Sequence, residues 1–256
     1  MIKIATPISH LFKDPINVFE ISRYSDCLEC RDDSFDFIGG EQEVFHCDLQ
    51  PIHKLNQDQF KYLEKIKNTK SRLKLISFHC ASCCDNPVVD SHGVFQDGGL
   101  KYSRDEMLGN AKYNFSVIKK IFGADIEIAI ENNNYYFSSA YEFIADPEFI
   151  SSVVNDNNLG FLFDIAHAKV TCYNRKINFD DYKKNLPLDK IVQLHVCHYG
   201  INKNGSAYDA HDLPTSEEME EVKNLINEFN VKYLTVEFYK NKDQLINCLE
   251  EFKKII

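Results

Sequence analysis

Eight short runs rich in apolar and β-branched residues recur along this chain, separated by stretches of helical character, and they constrain the fold more than any other feature. They are Ile2–Ile8, Asn17–Ser22, Glu43–Leu49, Leu73–Cys80, Ile126–Glu131, Leu159–Ile165, Lys190–Val196 and Tyr233–Phe238. Strands alternating with helices of ten or more residues specify a parallel sheet. Eight such units predict closure into a single (β/α)8 TIM barrel, with an open doubly wound sheet as the alternative on pattern alone. The 256 residues, 44% of them hydrophobic, suit one barrel-sized domain spanning residues 1–256.

The helices between the runs carry their own signals. Asp58–Lys67 places Phe60, Leu63 and Ile66 at helical spacing. Ser103-Arg104-Asp105-Glu106 is a capping box opening a helix to about Phe122, with Gly123 ending it. Ser216–Phe229 and Asp243–Lys254 are amphipathic. The first two strands have short connections, which predict poorly formed helices there. Ala81–Tyr102 is the longest irregular stretch and leaves the fourth strand toward the expected catalytic face, as an active-site lid would.

Six consecutive strands, the third to the eighth, end in residue types that ligate metals. His46 follows Val44-Phe45, His79 follows Ser77-Phe78, and Glu131 ends Ile128-Ala129-Ile130. Asp164 and His167 frame Ile165-Ala166, His195 follows Gln193-Leu194, and Glu237 follows Thr235-Val236. Asp209 and His211, in Asp209-Ala210-His211, would reach the same rim from the loop after the seventh strand. Barrel strand ends converge on one face, where active sites are built.

A lone His at a strand end is usually a satisfied core residue, and a lone acid is usually a cap or an ion pair. Six consecutive strand ends carrying such residues are another matter. Burying carboxylates together costs several kcal/mol per unpaired ion, which divalent cations relieve. Mixed imidazole and carboxylate ligation suits iron, zinc or manganese. Nine candidate ligands exceed one shell, so two or three divalent ions are expected. Carboxylates such as Glu131 or Glu237 would bridge them at roughly 3.5–4 Å. Glu131, Glu237 and His198 are the candidate catalytic groups.

This set resembles the xylose isomerase-like TIM-barrel superfamily, which includes sugar isomerases and epimerases and barrel-type apurinic/apyrimidinic endonucleases. Within it, three stretches are more similar to the multinuclear non-haem iron-dependent oxidases. They are Glu131-Asn132 with Tyr135, Tyr141–Ile150 with Asp146-Pro147-Glu148-Phe149, and Asp209-Ala210-His211-Asp212-Leu213-Pro214. The chain departs from those oxidases at His167, where Asn is usual, and in His195-Val196-Cys197-His198, which lacks their Gly before the second His. The resemblance implies iron and oxygen-dependent chemistry on cysteine-containing peptides, with a partner protein presenting the peptide. A sugar isomerase or epimerase with zinc, manganese or cobalt is the second reading, using Glu131 and Glu237 to exchange a proton. A zinc-dependent phosphodiesterase is the third, and a non-catalytic metal- or peptide-binding module the fourth.

A formal charge of −10, with no Lys/Arg-rich block, weighs against nucleic acid. No run of about 18 apolar residues suggests a membrane span. The chain enters its first strand at Met1 without a secretory signal, and nine cysteines then read as reduced thiols in a cytoplasmic protein. Cys27/Cys30 and Cys80/Cys83/Cys84 could build a four-thiolate site, though free loop thiols are the plainer reading. His10, His53 and His92 read as surface residues, and Lys169 as a solvated one.

Overall fold

In the computed structural model, which describes residues 2–256, every apolar run but one forms a barrel strand or lies over one. The elements in chain order are β1 (Lys3–Pro7), α1 (Pro15–Ser22), β2 (Cys27–Arg31), β3 (Gln42–Cys47), α2 (Gln57–Thr69) and β4 (Leu75–Phe78). The hairpin β5 (Val88–Val89) and β6 (Phe95–Gln96) follows, then α3 (Arg104–Phe122), β7 (Glu127–Glu131), α4 (Pro147–Asp156) and β8 (Gly160–Asp164). After α5 (Ile165–Arg175) and α6 (Phe179–Lys183) come β9 (Ile191–Val196) and a second hairpin, β10 (His198–Ile201) and β11 (Ala207–Asp212). The chain ends with α7 (Ser216–Glu228), β12 (Tyr233–Val236) and α8 (Lys242–Ile255). Eight strands close in the order β1-β12-β9-β8-β7-β4-β3-β2, all neighbours parallel, which is the (β/α)8 barrel. The start of the first strand at Met1 lies outside the described residues.

Asn17–Ser22, expected as the second strand, is helical instead. Asp14 accepts a hydrogen bond from the Ile16 amide and Pro15 occupies the first helical turn, so capping chemistry overrides the β-branched composition. The second strand is Cys27–Arg31, followed only by a single 3-10 turn over Asp32–Ser34. The other helices follow their signals. Ser103 and Glu106 form the reciprocal capping box of α3, and Gly123 ends it at a φ of 77°. The stretch after β4 is less irregular than expected, since β5–β6 and a Cys84–Lys101 bridge order it.

The strand period of two sets the interior. Ala5, Cys27, Val44, Leu75, Ala129, Leu162, Val192 and Tyr233, one from each barrel strand, form a single buried apolar cluster that plugs the barrel. The intervening residues, among them Ile4, Leu28, Phe45, Ile76, Ile130, Phe163, Leu194 and Leu234, belong to the larger core that the helices cover. Two positions beyond the plug, the same inward face carries Glu29, His46, Ser77, Glu131, Asp164 and Thr235. Four positions beyond it come Arg31, His79 and Glu237. An apolar floor therefore lies directly beneath a polar layer. Among the described residues, no helix is long and apolar enough to cross a membrane.

Candidate metal centre

Glu131, at the end of β7, is the hub of the polar layer. Its Oε2 lies 3.1 Å from His79 Nδ1 and 3.5 Å from His46 Nε2. Its Oε1 lies 3.4 Å from His195 Nδ1 and 3.6 Å from His167 Nδ1. Farther round the rim, His167 Nε2 is 3.4 Å from Asp209 Oδ2 and 3.8 Å from Asp164 Oδ2. His195 Nδ1 is 3.4 Å from Glu237 Oε1, and His211 Nε2 is 3.0 Å from Asp209 Oδ2 and 3.7 Å from Glu237 Oε2. Most of these separations are long for hydrogen bonds. They suit donors sharing an ion, because two ligands each about 2.1 Å from one cation stand roughly 3.0–3.4 Å apart.

The ring nitrogens are held from behind. His46 Nδ1 meets the Ser77 hydroxyl at 2.8 Å, leaving Nε2 toward Glu131. His167 Nδ1 donates to the Asn132 carbonyl at 2.9 Å, leaving Nε2 toward Asp164 and Asp209. His195 Nε2 donates to Glu29 Oε2 at 3.0 Å, leaving Nδ1 toward Glu131, Asp164 and Glu237. Fixing one nitrogen to present the other is how proteins prepare histidine ligands. Asn132, next to Glu131 in the chain, clamps the Asp164 backbone, donating to its carbonyl at 2.9 Å and accepting from its amide at 2.8 Å.

Three groups of side chains could each hold a cation: His46/Glu131/His195, Glu131/Asp164/His167 and Glu29/His195/Glu237. Glu131 Oε2, Asp164 Oδ2 and His195 Nδ1 are buried without hydrogen-bond partners. A buried polar atom left unpaired costs about 1–3 kcal/mol, more when charged, so three such ligand atoms within one polar layer favour bound cations. The donor set fits divalent iron, zinc or manganese.

Without a cation the site divides its protons unevenly. Burial pushes the Glu131 carboxyl up, but the imidazoles of His46, His167 and His195 outweigh it and hold it well below the usual range. Burial, helped by repulsion from Glu237, Glu131 and Asp209, raises Asp164 to about 7 despite His167. His46 falls to about 4 through burial and the charge of His79. For His79, burial is outweighed by Asp48 and Glu131, which raise it to about 9.

The nine expected ligands thus converge, with Glu131 and Glu237 among them. His198 does not join them: it is on β10, where its Nδ1 pairs with Glu218 Oε2 at 3.1 Å. Asp209 and His211 reach the rim from strand β11 rather than from a loop. Several neighbours were missed. Glu29 and Arg31 lie on the misassigned second strand, while Asp48, Cys197 and Tyr239 touch His79, Asp209 and Glu237 respectively. The Cys197 thiol donates to Asp209 Oδ1 at 3.4 Å.

The thiols behave otherwise than two rim pairs would. All nine cysteines are buried and unpaired. Cys27 belongs to the barrel plug and Cys30 to the outer core, so the strand period separates them. Among the described residues, no cation-holding group contains a cysteine. His53 is also buried, with Nε2 donating to the Ser82 carbonyl at 2.7 Å and its ring stacked on Tyr102. Lys169 is buried between Glu217 and Glu218, at 2.7 Å from each.

Known proteins with this architecture share the barrel. The structure superposes on the Escherichia coli 3-keto-D-glucoside 4-epimerase YcjR with a TM-score of 0.65, at 11% identity over 99% of this chain and 100% of that one. A D-tagatose 3-epimerase-like protein gives 0.60 at 19% identity, over 99% and 98% of the chains. A xylose isomerase-like TIM-barrel protein from Mycobacterium smegmatis, in complex with magnesium, gives 0.60 at 8%, over 100% and 96%. At these identities the likeness is one of fold. In sequence, the UPF0276 protein VP3015 of Vibrio parahaemolyticus serotype O3:K6 is 27% identical over 96 residues, which is 36% of this chain and only 33% of that relative's length. Residues 55–256 match the model of the RiPP precursor modification enzymes MbnB/TglH/ChrH, a segment holding every expected ligand except His46. With more than three quarters of its length in that match, the chain belongs to the MbnB/TglH/ChrH family of RiPP precursor modification enzymes.

Proposed function

We propose that this protein is an iron-dependent oxidase that modifies a cysteine-containing peptide, presented by a partner protein in the reducing cytoplasm. The observation that carries this reading is the presence of three unpartnered buried ligand atoms, Glu131 Oε2, Asp164 Oδ2 and His195 Nδ1, in the polar layer of a barrel of this family. His46, His79, Glu131, Asp164, His167, His195, Asp209, His211 and Glu237 are the proposed ligands. Iron, when bound, would supply one-electron redox chemistry and an acceptor for a soft thiolate.

The chain's own groups define how a substrate would meet the centre. Glu131, Asp164 and His195 are sealed against the apolar plug, so water and substrate can arrive only from the rim. On that side stand the partly exposed His79 and His211. A cleft of about 600 Å³ lies at the rim between the hairpins β5–β6 and β10–β11. Tyr136 lines it and reaches inward, where its hydroxyl accepts from the Asp209 amide at 3.4 Å. A peptide laid in this cleft would bring a side chain past Tyr136 toward Asp209. Cation binding must displace the protons that Asp164, His79, His167 and His195 hold near neutrality, so loading releases protons.

The test is elemental analysis of protein purified without oxygen, followed by oxygen uptake with a synthetic cysteine peptide and its Ser-substituted control. The reading expects bound iron and uptake that depends on the thiol. Zinc or manganese in place of iron, or uptake indifferent to the thiol, would overturn it.

A further inference from the structure

We propose that the rim cleft between the two hairpins is an aromatic-binding subsite, in which Tyr208 and Phe137 hold an aromatic side chain of the peptide substrate near its reacting cysteine. The inference rests on the peptide-modifying reading above and deepens it, naming what the peptide carries close to that cysteine.

Exposed apolar residues gather at this cleft. Phe137 is 68% exposed, Ile201 54% and Tyr208 40%, and all three line it together with Val94. Single exposed apolar residues are ordinary on a protein surface, but several around one concavity mark a place where a ligand is buried. The volume of about 600 Å³ lies in the range of ligand pockets, which combine apolar and aromatic walls with a few polar groups.

The wall at Tyr208 is prepared by the neighbouring strand. Gly200 of β10 pairs with Tyr208 of β11, so the two positions face the same side of the hairpin. A Cβ at position 200 would stand 2.7 Å from the tyrosine ring and 2.8 Å from its hydroxyl, so the outer end of the ring lies against the glycine. Gly200 does not have a positive φ, so its missing side chain supplies room for the ring rather than conformational freedom. Charge does not select the occupant. The lining holds one acid and one permanent cation, Asp90 and Lys203. Asp90 is spent within its own hairpin, where it accepts from the amides of His92 and Val94 and from the Gln96 side chain.

The subsite adjoins the proposed centre. Tyr208 precedes Asp209, and strand alternation turns the Asp209 carboxylate the other way, to 3.4 Å from His167 Nε2 and 3.0 Å from His211 Nε2. Tyr136 stands at the inner end of the cleft, its ring edge-on to Tyr141 at 5.4 Å and its hydroxyl on the Asp209 amide. A side chain seated on Tyr208 is therefore one strand position from a proposed ligand, which places its residue close in the peptide to the cysteine.

The chain contains no tryptophan, so indole fluorescence reports a bound peptide alone. Protein purified without oxygen is titrated into the blocked peptides Cys-Gly-Trp and Trp-Gly-Cys, which cover both chain directions. The tighter of the two is then displaced by peptides with Phe, Ala or Glu in place of Trp. The Phe peptide should compete about tenfold better than the Ala peptide, as burial of one aromatic ring requires. Tyr208→Ala, and Gly200→Ala, which drives the ring from its seat, should each weaken the Trp peptide about tenfold with metal content unchanged. An Ala peptide that competes as well as Phe, a Glu peptide that competes best, or Trp peptides that do not bind would each overturn the inference, whether or not the variants fold. A folded Tyr208→Ala with unchanged affinity does the same. Binding needs neither oxygen nor iron. A Phe preference in zinc-bearing protein would therefore keep this inference while the oxidase reading falls, and thiol-dependent uptake without a Phe preference would do the reverse.

Discussion

Glu29 never touches the proposed ions, yet replacing it with Gln should weaken their binding. The carboxylate accepts from Arg31 on one oxygen and from Gln193, His195 and Thr235 on the other. An amide of the same size must turn an NH2 group toward one of these sets. Facing Arg31, that NH2 would oppose two donors that cannot reverse. Facing the other set it meets groups that can adapt, since the Gln193 amide can flip and the Thr235 hydroxyl can rotate. His195 can adapt only by moving its proton from Nε2 to Nδ1. That nitrogen faces Glu131, Asp164 and Glu237, and protonated it cannot bind a cation. Loss of such an orienting partner typically lowers metal affinity about 10–100-fold, or about 1.4–2.7 kcal/mol. Competition against a chelator of known affinity, with Fe(II) or Mn(II), measures the change, and thermal melting of the chelated protein confirms that the variant is folded. A folded Glu29→Gln with affinity within twofold of wild type would refute the argument: either His195 is not a ligand through Nδ1 or Glu29 does not set its tautomer.

Two further outcomes follow from the same geometry. Glu131→Gln removes the carboxylate common to two of the candidate cation groups, so the ion count per chain should fall; an unchanged count would end the shared-ligand description. The second concerns acid stability. Burial raises Glu218, but Lys169 and the hydroxyl and amide of Thr215 outweigh it and hold its carboxyl at about 2. Because this folded value lies below the unfolded one, its stabilisation is complete above the unfolded value near 4.5 and is lost as pH falls toward 2. The melting temperature of chelated wild type should therefore drop more steeply over that window than that of Glu218→Gln. Parallel curves would show that the Lys169–Glu218 pair adds nothing to stability.

The sequence by itself determined the repeat and most of the side chains that meet at the rim, while closure into a barrel rather than an open doubly wound sheet was decided by the structure. Short apolar runs and capping signals are local, and period-two alternation fixes which strand residues share a face, so Glu131 and Glu237 could be placed at the rim from their neighbours alone. It failed at residues 17–31. There Asp14 and Pro15 began a helix beneath a β-branched composition, and the error hid Glu29 and Arg31 while setting Cys27 and Cys30 at a loop they do not occupy. It also could not show that His198 turns to Glu218, or that Lys169 is buried. Only the tertiary structure decided these matters, because they depend on which side chains from distant strands meet. Glu29 meets His195 across 166 residues of chain, and Arg31 meets Glu237 across 206. Composition and periodicity carry no record of such pairings; barrel closure creates them by bringing β2 within reach of β9 and β12.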